Sequence, residues 1–387
     1  MTKVMTVVGT RPEIIRLSEV IKRLDATVDH VLVHTGQNYD YELNEIFFEE
    51  LGLRRPDHFL EVDTSSLGRV LGEVLIKTEQ VLLQEKPDAF LVLGDTNSCI
   101  AAVMAKRMRI PVYHMEAGNR CFDENVPEET NRRLIDHVAD FNLVYTEHAR
   151  RNLLAEGIHP RRILLTGSPM NEVLTAQRAA IDASDVLKRL GLVEGGYFLV
   201  SAHREENVDN PARLFALLDC LEAVVDAYNL PVLVSTHPRT RKRLDALERK
   251  MPGLTFHKPL GFHDYNHLQL RARCVLSDSG TIAEESSILG FPAVTLRDSI
   301  ERPEALDTGS IIMTGLHPAN VIEAINCLSN PESSSTSTRP QDYAIDNTSV
   351  RAVRFIVSTH RQHTHWSGLR PAASAPISDI LATPSSR

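Results

Sequence analysis

Residues 3–24, KVMTVVGTRPEIIRLSEVIKRL, carry the first unit of the fold in full. Apolar and β-branched residues fill positions 4–8, and Gly9 interrupts them. From there the apolar positions recur at helical spacing: Ile14, Ile15, Leu17, Val20, Ile21 and Leu24. A strand therefore feeds a helix. Thr10 can cap that helix and Pro12 can start it, which leaves Arg11 near its N-terminal end, where a cation suits a phosphate.

Outward from this unit the pattern repeats. DHVLVHTG (29–36), AFLVLGD (89–95) and IPVYHME (110–116) read as strands, and 67–84 and 97–108 as helices. Crossovers of that length join parallel strands, so residues 1–170 are expected to form a doubly wound, Rossmann-like α/β domain. The alternation restarts at YFLVSAH (197–203) and continues through LPVLVSTHP (230–238), CVLSDSG (274–280) and FPAVTLRD (291–298). This predicts a second Rossmann-like parallel-sheet domain over 171–345, with a hinge between Thr166 and Gly196. The tract SNPESSSTSTRPQD (329–342) is too poor in apolar residues for a core and reads as an exposed loop. A helix from about Ser349 to His360 is expected to dock within 346–366, back on the first domain, and 367–387 read as a disordered tail.

Composition limits the partners. A 42% hydrophobic and 24% charged chain of 387 residues is an ordinary globular one with room for two cores. Its 5% aromatic content and net charge of −9 argue against a nucleic-acid partner and against general attraction to anionic lipid. No apolar run approaches the ~20 residues of a membrane span, so no membrane insertion is expected. Five scattered cysteines without C-x-x-C spacing, and no signal-peptide pattern at Met1, point to reduced thiols in the cytoplasm.

Strand ends collect polar groups that packing does not require. Asp95 follows LVLG and can serve as a turn residue or helix cap. SAHREEN (201–207) brings His203 and Arg204 to a strand end, and STHPRTR (235–241) does the same with His237 and the arginines behind it. HMEAGNRCFDENVPEETNRR (114–133) sets Glu116, Glu128, Glu129, Arg132 and Arg133 behind an interior-looking strand with no periodicity to explain them. The last three read best as helix-starting and loop-bracing residues. LSDSGTIAEES (276–286) is a strand, a Ser279-Gly280-Thr281 turn and a helix carrying Glu284 and Glu285. Orphan N–H groups at such a helix start can hold a diphosphate, and a glutamate one turn on can take two ribose hydroxyls. ERPEA then adds Arg302 and Glu304 after another strand. Neither G-x-G-x-x-G after the first strand nor a P-loop occurs, which argues against dinucleotide and P-loop chemistry.

Ten motifs in order over residues 4 to about 315 resemble the non-hydrolysing UDP-N-acetylglucosamine 2-epimerase family: GTRPE, HTGQ, LGDTNS, HMEAGNR, VPEETNRR, TGSP, SAHREEN, PLGFHDY, SDSGTIAEES and ERPEA. The resemblance implies a GT-B-like architecture, two Rossmann-like domains facing a central cleft. It implies a UDP-sugar substrate and no cofactor or metal: UDP is eliminated across C1–C2 to a 2-acetamidoglycal and then re-added. By motif position, Asp95, Glu116 and Glu128 are the carboxylates around the sugar, with Arg11 and His203 near the diphosphate. Arg16, Gln37, Arg204, His237, Phe262, Ser279, Gly280, Thr281, Glu285 and Arg302 fall at UDP- or substrate-binding positions. Carboxylates so crowded are expected to repel one another and raise at least one pKa; which is acid and which is base is open.

VVGTRPEIIRLS, HTGQNYDYELNE, HMEAGNRCFD and SAHREENVD resemble most the UDP-N-acetyl-L-fucosamine synthase branch, the UDP-2-acetamido-2,6-dideoxy-L-talose 2-epimerases of surface-polysaccharide (O-antigen and capsule) synthesis. Arg16 replaces the family's usual lysine, and Gly280-Thr281 its Gly-Gly. The alternatives are a UDP-N-acetylglucosamine/UDP-N-acetylmannosamine 2-epimerase and a glycosyltransferase of the same architecture. A homodimer is expected from the family.

Overall fold

The computed structural model describes residues 1–36, 45–202, 204–236, 238–245, 249, 251–329 and 339–369. The polar tract at 330–338 and the tail from 370 onward lie outside them.

Two parallel sheets organise the described residues. The first contains β1 (Lys3–Val8), β2 (Asp29–His34), β3 (His58–Phe59), β4 (Ala89–Leu93), β5 (Val112–Met115), β6 (Phe141–Val144) and β7 (Ile163–Leu165), in the order β3-β2-β1-β4-β5-β6-β7. The second contains β8 (Phe198–Ser201), β9 (Val232–Ser235), β10 (Leu254–His257), β11 (Cys274–Ser277), β12 (Ala293–Thr295) and β13 (Ile312–Met313), in the order β10-β9-β8-β11-β12-β13. In each sheet the first strand is interior and the order reverses beside it, between β1 and β4 and between β8 and β11. Ligands on such sheets bind outside the carboxyl ends of the strands at that reversal.

Alternation along β1 explains why both faces are covered. Val4 and Val8 point to one side and pack with Ile14, Leu17, Val20, Ile21 and Leu24 of the helix Arg11–Thr27. Met5 and Val7 point to the other and pack with Val70, Val74, Val81 and Leu82 of the helix Leu67–Glu85. A strand buried on both faces needs the unbroken apolar run seen in the sequence. The segment expected to be helical over 97–108 instead begins as a 3-10 turn at Asn97–Ile100 before the α-helix Ala101–Arg107, because Cys99 N bonds to the Thr96 carbonyl.

The chain returns to the first sheet at its end. Ala352, Val353 and Ile356 of the helix Thr348–Thr359 join the same core as the helix Arg11–Thr27. Arg23 Nε donates to Ser349 Oγ at 2.8 Å, and the Tyr113 and Thr359 hydroxyls are 2.7 Å apart. The helix Met170–Asp182 packs on the helices Arg11–Thr27, Phe262–Arg271 and Ile282–Leu289, so it touches both halves.

Candidate active site

The turn after β1 and the turn after β4 are joined through one carboxylate. Glu13 Oε2 accepts from Gly9 N and Thr10 N, both at 2.7 Å, and from Thr10 Oγ1 at 3.0 Å. Its Oε1 accepts from Thr96 Oγ1 at 2.9 Å and from Ser98 Oγ. Burial raises the Glu13 carboxyl above its usual range, against the pull of these bonds. The N-terminal turn of the first helix is thereby fixed beside Asp95, as the reciprocal bonding of a capping box requires.

Three carboxylates meet at the ends of β4 and β5 and the start of the next helix. Asp95 Oδ2 accepts from Arg132 Nε at 2.9 Å and Nη2 at 2.6 Å, while Asn131 Nδ2 donates to the Asp95 carbonyl at 2.9 Å. Glu116 directly follows β5 in the left-handed region, at φ +66°. A non-glycine residue there costs ~1–2 kcal/mol and persists only where its surroundings over-determine it. Here they do: Arg16 grips one carboxylate oxygen and Arg302 the other. Glu128 stands in the first turn of the helix Pro127–Val138, 3.7 Å from Arg204.

The second domain supplies the opposing wall. Ser279 N donates to Ser277 Oγ at 3.0 Å, and the Ser279 and Thr281 hydroxyls are 2.9 Å apart at the start of the helix Ile282–Leu289. Arg302 donates to the Gly280 carbonyl as well as to Glu116, and stands 3.1 Å from the buried Glu284. Glu301 is bonded by Arg297 and lies 3.4 Å from Arg204 and 3.6 Å from Arg132. Burial alone would raise the Glu301 carboxyl, but Arg204, Arg297 and Arg132 together hold it far below its usual value.

Two cavities occupy the cleft between these walls, sharing Pro12, Arg16, Ser279 and Thr281. One is lined mostly by polar and charged residues, among them Asp95, Glu116, Glu128, Asn119, Arg132 and Arg204. The second is lined by Arg11, Phe47, Ser201, Ser235, Phe262, Tyr265 and Glu285 among others. Burial lowers the Arg11 guanidinium from its ordinary value, opposed by Tyr265 and Glu285. Gln269 Nε2 fixes Glu285 at 2.6 Å.

Of the positions singled out in the sequence, Arg11, Arg16, Asp95, Glu116, Glu128, Arg204, Phe262, Ser279, Gly280, Thr281, Glu285 and Arg302 all line these cavities. Gln37, His203 and His237 lie outside the described residues. Each of the three carboxylates has a cationic partner that sequence did not assign: Asp95 pairs with Arg132, Glu116 with Arg16 and Arg302, and Glu128 faces Arg204. Arg132, read as a loop brace, lines the polar cavity at 3% exposure and bridges Asp95, Glu129 and Glu301. Glu304 points away from the ligand space and accepts from Tyr343 Oη at 2.7 Å. Glu13, Asn119, Tyr265 and Glu301 were missed; all four sit inside quoted motifs (GTRPE, HMEAGNR, PLGFHDY and ERPEA), so only their bonding and placement were hidden.

Residues 22–357 match the family model described as UDP-N-acetylglucosamine 2-epimerase. The chain belongs to that family. Similar solved structures include the UDP-N-acetylglucosamine 2-epimerase of Rickettsia bellii, 44% identical, covering 96% of this chain and 100% of that one with a TM-score of 0.89. The Methanocaldococcus jannaschii UDP-GlcNAc 2-epimerase in complex with UDP-GlcNAc and UDP is 36% identical, covering 92% and 100%, with a TM-score of 0.86. The UDP-2,3-diacetamido-2,3-dideoxy-D-glucuronate 2-epimerase of Pseudomonas aeruginosa is 36% identical over 83% of this chain and 91% of its own length. The protein is accordingly a UDP-sugar 2-epimerase of the non-hydrolysing type, an isomerase with a GT-B-like pair of parallel-sheet domains. No helix among the epimerase's described residues is long and apolar enough to cross a membrane.

Proposed function

We propose that the chain inverts C2 of a UDP-2-acetamido sugar by eliminating UDP and adding it back to the opposite face. C2–H has no adjacent carbonyl to acidify it, so the C1–O bond to UDP must break as the proton leaves. The pair of electrons from C2–H becomes the C1–C2 double bond of the 2-acetamidoglycal, and the diphosphate departs with those of the C1–O bond. On return the proton goes to the other face of C2. In this reading Asp95, Glu116 and Glu128 move the protons, while Arg11, with His203, receives charge on the departing diphosphate. Ser279, Gly280, Glu285 and Phe262 hold the nucleotide.

The observation that carries the reading is the clasp on Glu116: a strained residue at a strand tip, gripped by one arginine from each domain, on the wall of a cleft that also holds Asp95 and Glu128. Strain of that kind is retained at functional sites.

For the sugar, we propose the 6-deoxy-L-talose derivative and its L-fucosamine epimer as substrate and product in surface-polysaccharide synthesis. The wording of four motifs supports it, as does the position of Arg16 and Thr281, the two departures from the family's usual residues, on the walls of both cavities. The second reading, UDP-N-acetylglucosamine, is supported by the names of the relatives from R. bellii and M. jannaschii. A homodimer working in the cytoplasm belongs to the same proposal, on the family resemblance, and light scattering on the purified chain tests its size.

The deciding experiment incubates the chain in D₂O with each UDP-sugar separately and no acceptor. Deuterium at C2, with phosphorus NMR showing UDP-sugar retained, is the expected result for the true substrate. A sugar that demonstrably binds yet stays unlabelled ends the elimination mechanism for that sugar.

A further inference from the structure

His114, on β5, is fully buried and touches none of the cavities. Its two ring nitrogens nonetheless face two acceptors. Nε2 lies 2.8 Å from the Gly94 carbonyl oxygen, which can only accept. Nδ1 lies 2.9 Å from Asp136 Oδ1. Asp136 is also fully buried, and its oxygens already receive Gly118 N at 3.2 and 3.1 Å and Arg120 Nη1 at 2.7 Å. With those donors in place, Asp136 presents Nδ1 with an oxygen suited to accept. Each ring nitrogen of His114 thus faces an oxygen. A neutral ring would leave either the Gly94 carbonyl or Asp136 without its bond, in a place where water does not replace it.

A positively charged ring would sit among balancing groups. Arg120 donates to Glu156 through Nε at 2.7 Å and Nη2 at 2.6 Å, and His137 Nε2 stands 3.0 Å from the same carboxylate. Asp136 and Glu156 thus face His114, Arg120 and the exposed His137.

What the unit joins matters more than its charge. Gly94 immediately precedes Asp95. Gly118 is two residues beyond Glu116, and its own placement is rigid: φ is +82°, and an added Cβ would overlap the Ala149 carbonyl. Asp136 lies on the same helix as Glu128, about two turns further on. The three segments bearing the three carboxylates therefore converge on one imidazole.

We propose that His114, doubly protonated and held by Asp136, is a positioning residue for epimerisation, fixing the Asp95, Glu116 and Glu128 segments in register. This rests on the reading of those three carboxylates as the proton-transfer groups. Small misplacements of reacting groups cost up to ~100-fold in rate, whereas the nucleotide contacts assigned above come largely from the other domain. Loss of the imidazole should hence fall on kcat rather than on KM.

The test has two arms on the full chain. Nitrogen-15 histidine NMR at pH 7.5, assigned with His114→Gln or by ring-to-backbone correlation if that variant does not fold, should show both ring N–H protons of His114; a single-tautomer neutral pattern overturns the proposal. His114→Gln and Asp136→Asn should each lower kcat at least tenfold with KM within about threefold of wild type, and the double variant should lose little more than either. Unchanged kcat, or a loss matched by a rise in KM, overturns the positioning role. A wild-type chain that exchanges no deuterium at C2 would remove the epimerisation reading and the positioning role with it, and the ring protonation would stand or fall on the NMR arm alone.

Discussion

Replacing Glu116 by glutamine separates charge from shape. The length is unchanged and the backbone stays at φ +66°, so the strain there is untouched. Only the negative charge between Arg16 and Arg302 is lost. Removing one partner of a buried pair costs ~3–5 kcal/mol when the other is left with no counter-ion. Glu284, fully buried, still stands 3.1 Å from Arg302 and 3.9 Å from Arg16. It retains about half of the neutralisation, which brings the expected loss to ~2 kcal/mol, or ~4–8 °C in Tm for a unit of domain size. Turnover should fall by at least ~100-fold, the scale of losing a general acid or base, equivalent to ~2.7 kcal/mol of barrier. Calorimetry and C2 deuterium exchange on the same preparation measure both. A variant that melts lower but turns over within threefold of wild type would reduce Glu116 to a counter-ion for two arginines and refute its part in proton transfer.

Other sites respond differently. Arg132→Lys keeps the charge but cannot reproduce three planar N–H bonds to Asp95 and Glu129; kcat should drop at least tenfold in steady-state assays with KM little changed. Gly280→Ala would put a methyl 3.3 Å from Arg204 Nη2 and 3.7 Å from Arg302 Nη1, so KM for the UDP-sugar should rise several-fold, read by titration, while Tm stays within a few degrees. Glu301 has a folded-state pKa depressed from 4.5; its contribution is complete above the unfolded value and is lost as pH falls through the folded one. Melting curves from pH 7 down to 3 should therefore show wild type losing stability below about pH 4.5, and Glu301→Gln, weaker at pH 7, should lose correspondingly less over that interval.

The fold was legible because its signals are local. The run from Val4 to Val8 and the spacing of Ile14, Leu17, Val20, Ile21 and Leu24 each describe one element, and the parallel order follows from crossover length. The two-residue strand β3 carried no such signal; only its register beside β2, Val33 with His58, makes it a strand. Half of the site was legible for the same reason, since Asp95, Glu116 and Ser279 each directly follow a strand or its turn. Arg132 was not. Its meaning depends on Asp95, 37 positions away, and on Glu301 in the other domain, and a helix-starting NRR has the same appearance whether it braces a loop or grips a carboxylate. His114 carried no signal of its own in the sequence; its meaning lies in the Gly94 carbonyl and Asp136, both at its ring.

The partners that sequence could not supply are also those that join the two halves. Arg302 to Glu116, Arg16 to Glu284, Arg132 to Glu301 and Arg204 to Glu128 all run from one domain to the other. Buried ion pairs roughly break even against the desolvation of their charges, so the first three, which are buried, and the partly exposed Arg204–Glu128 pair give closure geometric definition without a large net preference for it. The ligand's own contacts are then left to decide when the cleft is shut, because only differential binding shifts such an equilibrium. On the proposed elimination route, an enzyme that holds a glycal and UDP through two chemical steps, yet releases the product, is served by that balance: a cleft of fixed shape when closed, with occupancy deciding closure.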